Sequence, residues 1–181
     1  AEAYTSLAWV KFRFDWDWFG AEADFNWAIG LNPSYATAHQ WYGALLRDMG
    51  RFEKARVEIE RAQELNPLSL PISTSLGFLF YCERQYDQAI EQCKKAIQID
   101  ASFPWVHDVL GISYLQKGDF EQAIKELQKA VKLSGSSPEY LADLGYGYAR
   151  AGEKSKALKI LEELQEQSKH KYVPQYEMAL I

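Results

Sequence analysis

A period of 34 residues runs through this chain and restricts what it can fold into. Gly43, Gly77, Gly111 and Gly145 recur at that interval, as do Ala21, Ala55, Ala89, Ala123 and Ala157. Ala28, Ala62, Ala96 and Ala130 keep the same step, and so do Pro33 and Pro67. Glycine makes up about 7% of an average protein, so four in register arise by chance roughly once in fifty thousand. A fixed period of this length marks a stack of identical supersecondary units, each unable to bury its apolar face alone.

The register divides the chain into repeats 2–35, 36–69, 70–103, 104–137 and 138–171, with a ten-residue remainder 172–181, all within one array spanning 1–181. Inside a repeat the apolar residues follow helical spacing, as in Leu110, Tyr114 and Leu115, then Phe120, Ala123, Ile124, Leu127 and Val131. Breaks fall at Met49-Gly50-Arg51 and Lys117-Gly118-Asp119 within repeats, and at Asn32-Pro33-Ser34 and Asn66-Pro67-Leu68 between them. Each repeat therefore reads as helix, tight turn, helix. Small residues recur where two antiparallel helices must approach closely. Phe12, Leu46, Phe80, Tyr114 and Tyr148 fill the space beside them on the first helix, and Trp18, Phe52, Tyr86 and Phe120 open the second.

Several function classes find no support in the residues. The formal charge of −5 argues against nucleic acid, which needs a basic stripe. No apolar run reaches the roughly 18 residues of a membrane span, and Ala1 to Val10 lacks the order of a signal peptide. The absence of an initiator Met suggests excision from a longer chain. Cys82 and Cys93 are expected as free thiols, because a helical turn-back between them separates them by about 8 Å. Asp15-Trp16-Asp17-Trp18-Phe19-Gly20 begins like a calcium loop, yet has Asn26 where a bidentate Glu belongs, so a polar turn is expected. His39 and His107 share one slot two repeats apart, too far to share a metal, and read as core-edge or surface residues. No nucleophile elbow, phosphate loop or His-Glu-x-x-His pair occurs. Neither an enzyme nor a cofactor or metal is expected.

Period, hairpin and small-large pattern resemble the tetratricopeptide repeat, shown most fully by Leu110-Gly111, Tyr114, Gly118, Ala123 and Ala130. Repeat one departs from it, with Trp9 at the glycine position and Trp16 at the turn; repeat five has Leu164 and Lys154 at the second alanine and the turn aromatic. The resemblance implies an all-α, right-handed α-solenoid of antiparallel helix hairpins: five repeats plus one extra C-terminal helix. The stretches AEAYTSLAWVKFRFDWDW, ATAHQWYGALL, SGSSPEYLADLGYGYA and KYVPQYEMALI are similar to arrays of large bacterial regulators linked to winged-helix, kinase or cyclase domains.

The resemblance further implies that positions 2, 5, 9, 12 and 13 of each first helix line a concave face for a protein or peptide partner. Those positions include Gln40, Ala44, Arg47 and Asp48, then Thr74, Phe78, Tyr81 and Cys82. Further along come Trp105, Asp108, Ile112, Leu115 and Gln116, then Glu139, Ala142, Tyr146 and Arg150. Aromatic residues beside Asp108 and Glu139 suit a segment with apolar anchors and a basic residue. The family's carboxylate clamp is not expected, because Ser6, Val10, Trp41, Pro71 and Ser75 stand at its basic and amide positions. Residues Tyr172 to Ile181 read as half of a sixth hairpin with Pro174 in its first turn. Tyr176, Met178, Leu180 and Ile181 would partly cap repeat five and partly support a homodimer. Free thiols fit a cytoplasmic protein, while the regulator resemblance leaves the periplasm open.

Overall fold

The computed structural model describes residues 1–181, apart from the side chain of Glu177. Every regular element among the described residues is helical: α1 (Glu2–Val10), a π-helical segment (Lys11–Asp15), α2 (Trp18–Leu31), α3 (Ala36–Asp48), α4 (Phe52–Leu65), α5 (Leu70–Cys82), α6 (Tyr86–Ile99), α7 (Pro104–Lys117), α8 (Phe120–Ser134), α9 (Pro138–Arg150), α10 (Lys154–Ser168) and α11 (Gln175–Ala179). Consecutive helix hairpins of this kind form an α-solenoid. Two compact units result, Ala1–Arg84 and Gln85–Ile181, divided at the tight turn of the third repeat. No helix among the described residues is long and apolar enough to cross a membrane.

The turn inside each repeat has one recurring backbone feature. Trp16, Gly50, Arg84, Gly118 and Gly152 all adopt positive φ, between 58° and 78°. They are spaced by 34 residues. The left-handed residue lets the following N–H reach back to the helix it has just left, as Arg51 does to Leu46, Asp119 to Tyr114 and Glu153 to Tyr148, at 2.8–3.1 Å. Glycine tolerates this backbone freely, whereas a side chain there costs about 1–2 kcal/mol. Trp16 and Arg84 bear that strain.

Helix starts follow equally local rules. Asp17 and Asp119 accept from the N–H groups of Gly20 and Gln122, at 2.9 and 3.2 Å. The capping carboxylate of Asp17 gives the acidic turn 15–20 a structural role. Pro71, Pro104 and Pro138 occupy first turns, where the missing N–H has no partner to lose.

The small residues permit the helix crossings. A Cβ built on Gly43 would lie 2.5 Å from Ile59 Cγ1, and one on Gly111 would lie 2.6 Å from Leu127 Cγ. Ile59 and Leu127 are fully buried, so neither has room to withdraw. Repeat one solves the crossing differently. Trp9 packs against Phe12 and Trp41, with ring centroids at 5.5 and 4.6 Å, and the chain then widens into the π-helical segment. Asp17 N–H consequently reaches back six residues, to Lys11 at 3.1 Å, rather than the five of the later turns. Simple helix-turn-helix therefore fails for repeat one, because an indole cannot occupy the closest approach of two backbones.

The C-terminal segment also differs from its sequence reading. The expected helix from Tyr172 shrinks to Gln175–Ala179, because Pro174 caps it with extended backbone (ψ 129°) rather than lying within its first turn. Val173, Met178 and Ile181 pack with Leu141, Ala142 and Leu164.

Two substitutions probe these constraints by chemical denaturation. Arg84→Gly relieves left-handed strain and should stabilise the chain by about 0.5–1 kcal/mol after the entropy of glycine is subtracted. Gly111→Val should destabilise it by about 2–3 kcal/mol, since overpacking against Leu127 outweighs the small gain in helix propensity.

Candidate functional site

In unit 1 the first-helix side chains gather around α3 and α5. Phe78 and Tyr81 stack with centroids 5.8 Å apart and planes 9° from parallel. The Arg47 guanidinium lies 4.6 Å from the centroid of the Phe78 ring and pairs with Asp48 at 2.7 Å. Both rings are half-buried. A pre-positioned aromatic pair with a guanidinium on one face offers apolar area without a large ordering cost on binding. Cys82, free and half-buried beside it, has its thiol pushed upward by burial, with Arg47 opposing the shift and Asp48 and Glu83 reinforcing it. This thiol is poorly set up as a nucleophile.

In unit 2 the expected residues separate. Tyr146 and Arg150 form a pair: the guanidinium lies 5.6 Å from the ring centroid and donates to the phenol oxygen at 2.7 Å. Trp105 is half-buried and turns its ring edge-on to Phe103, at 6.4 Å. Asp108 and Ile112 are buried, as is Thr74 in unit 1. These three expected groove residues are thus at most 9% exposed. For Asp108 the reason is positional. Position 5 of the first helix is buried in every case from Gln40 through Thr74 and Asp108 to Ala142. Gln40 shows where it points, donating to Ser75 at position 6 of the next first helix, at 3.0 Å. The position belongs to the packing between hairpins. Ser75, one of the clamp positions, is thereby engaged and also donates to the Pro71 carbonyl at 2.8 Å.

One repeated polar device was not assigned from the sequence. His107 Nδ1 lies 2.7 Å from Glu126, and Nε2 lies 2.9 Å from the Ala101 carbonyl. His39 repeats this geometry in unit 1, at 2.6 Å from Glu58 and 3.0 Å from the Pro33 carbonyl. In each histidine both ring nitrogens lie within hydrogen-bond distance of an oxygen, one of a carboxylate and one of a backbone carbonyl. Both histidines are buried rather than superficial. Each ties its hairpin to the turn that precedes it. The signal lay in the shared step, with His39 and His107, like Glu58 and Glu126, two repeats apart. Leu141 and Ile160 fill the same slot in the fifth repeat with apolar packing. Burial alone would raise the Glu126 carboxyl, but hydrogen bonds from His107 and Lys129 outweigh it and hold Glu126 below the usual range.

An exposed apolar surface surrounds the first hairpin. Phe14, Trp16, Phe19 and Trp27 are each more than half exposed. At the other end Tyr172 and Tyr176 are exposed at 86% and 67%, with Leu180 at 48%, whereas Met178 and Ile181 pack inward. Among the described residues no group of three or more His, Cys, Asp or Glu could hold a metal ion.

Two family profiles match the chain, one described as a tetratricopeptide repeat over residues 17–69 and one as a TPR repeat over 111–152. Neither describes a catalytic family. No curated protein matches significantly. Among solved structures, a thermophilic TPR protein of Thermus thermophilus is similar with a TM-score of 0.85 at 20% identity, covering 94% of this chain and 93% of that one. PilF of Pseudomonas aeruginosa is similar at 0.78 and 19% identity, covering 99% and 80%. A MamA fragment of Desulfovibrio magneticus is similar at 0.69 and 18% identity, covering 93% and 94%. At such identities the likeness concerns the fold alone.

The ion pair gives a directional test. Glu126 has a depressed folded-state pKa, so its contribution is present above the ordinary carboxyl value of about 4.3 and is lost as pH falls through the lower folded value. Thermal melts across that acidic window should show Glu126→Gln less stable than the parent at neutral pH, with the gap closing on acidification. His107→Ala should cost about 2–4 kcal/mol at neutral pH by leaving Glu126 without its buried partner.

Proposed function

We propose that this chain, which carries tetratricopeptide repeats in both of its compact units, works as one binding array that holds a segment of another protein on its first helices. Tetratricopeptide repeats are generally protein-interaction scaffolds, and the matched profiles support that coarse role here. The observation that carries the finer reading is the half-exposed Phe78–Tyr81 stack with Arg47 over its face. Aromatic and arginine side chains of this kind dominate binding where they are pre-positioned and only partly solvated. Trp105, Tyr146 and Arg150 supply the corresponding surface in unit 2. The ligand that fits is an extended or helical segment with apolar anchors, since the clamp positions offer no basic or amide side chain for a terminal carboxylate. A regulatory or scaffolding place within a larger bacterial protein is the part of this reading that rests on the sequence resemblance alone.

A second reading, self-association, draws support from the exposed aromatic surface of the first hairpin and from Tyr176 and Leu180 at the C-terminus. Open apolar area at an end of a repeat array invites a second copy, here a homodimer through the C-terminal helix.

The two readings separate experimentally. A pull-down from the native cell should yield one specific partner with the parent chain, and its affinity should fall at least tenfold with Tyr81→Ala or Tyr146→Ala. Unchanged capture would remove these residues as the site. Sedimentation of the chain alone at high concentration should show a dimer that Tyr176→Lys dissociates if self-association holds; a monomer at every concentration would count against it.

A further inference from the structure

Asp108 on α7 is buried among groups that are themselves acidic. It is only 6% exposed, and its Oδ1 has no hydrogen-bond partner. Its other neighbours are acidic or acid-forming: it faces Asp143 and lies near Glu139, both on α9, and it acts on Tyr140 of α9 and Cys93 of α6. Two ionised carboxylates facing each other at a buried site repel, and neither can donate to the other, because each only accepts. One of the two must hold a proton. Asp143 is half-exposed and Glu139 is exposed, so water stabilises their charges, and the buried Asp108 is the group that stays neutral.

The same slot in unit 1 shows what is required of it. Gln40 at position 5 donates an N–H to Ser75 at position 6 of the next first helix. Asp108 and Asp143 occupy positions 5 and 6 of their repeats, so the acid must supply as O–H what glutamine supplies as N–H. We propose that a proton shared between Asp108 and Asp143 holds α7 against α9, and that this joint loosens when rising pH removes it.

The direction follows from the surroundings. Burial, the Asp143 charge and hydrogen bond, and the Glu139 charge all push the Asp108 carboxyl well above its usual range. Burial and the same carboxylates also raise Tyr140, and burial with Asp108 pushes Cys93 up to about 12, so neither neighbour ionises first to relieve the site. A raised carboxyl pKa contributes stability that is fully present below the unfolded value of about 3.9 and is lost as pH rises through the folded value. Glu126 acts in the opposite direction and in the acidic window, so the two groups bound the stability of unit 2 from opposite sides. Ionisation would place three negative charges at a joint whose helices carry Trp105, Tyr146 and Arg150, and would respace those side chains. The inference does not depend on the binding role proposed above.

Hydrogen exchange on the full chain tests it, read as protection factors for amides of α7 and α9 between pH 6 and 9. Loss of one proton predicts up to a tenfold fall in protection per pH unit as pH rises towards the folded pKa, levelling off above it. Asp108→Asn supplies a neutral donor at the same place and should flatten that dependence. Asp143→Asn removes the repelling charge and can donate to Asp108, so it should flatten the dependence as well and serves if Asp108→Asn does not fold. Parallel pH profiles for parent and variants would overturn the proposal, as would a carbon-13 carboxyl shift showing Asp108 already ionised at pH 6.

Discussion

Two helices of a hairpin approach only as closely as the residue at their crossing allows, and the rest of this fold depends on that limit. At Gly43 and Gly111 even one methyl group would collide with a fully buried Ile59 or Leu127. The 34-residue period repeats this contact, and the left-handed turn at 16, 50, 84, 118 and 152 returns the chain in register to make it again. Where the crossing residue is Trp9, a π-helical segment follows and the turn closes over six residues instead of five. The repeat is thus a geometric requirement, and its exceptions have visible compensations.

On this scaffold the polar slots vary in chemistry while keeping one function. Position 5 carries Gln40 in one unit and Asp108 in the other, each reaching the next first helix. The slot of His39 and His107 is held by a histidine–carboxylate contact in two repeats and by Leu141 with Ile160 in the fifth. Apolar replacement is consistent with the modest net value of buried ion pairs, whose desolvation cost offsets most of their attraction. What the histidine versions add is a link to a backbone carbonyl of the preceding turn, which a leucine cannot make.

The surface divides by a similar logic. Phe78, Tyr81 and Tyr146 are half-buried and stay available, whereas the side chains at position 5, and Ala44, Ile112 and Leu115 at positions 9 and 12, are buried. Helical spacing alone does not distinguish these positions, since all lie on the inner side of the first helix. Burial of Asp108 depends on how far the neighbouring hairpin overlaps it, a distance set by side chains many residues away.

The sequence by itself determined the repeat length, the hairpin architecture, the glycine crossings and the free thiols, because each follows from local backbone geometry repeated at a fixed step. Only the tertiary structure decided which inner-face residues are surface, that His107 and Glu126 pair, that repeat one widens at Lys11–Asp15, and that the last helix shortens behind Pro174. Those outcomes depend on contacts between segments some 20 to 35 residues apart, as from His107 to Glu126 or Gln40 to Ser75, where small differences in side-chain volume and charge settle the packing. Periodicity fixes where a residue lies along its helix; the neighbouring hairpin fixes whether water can reach it.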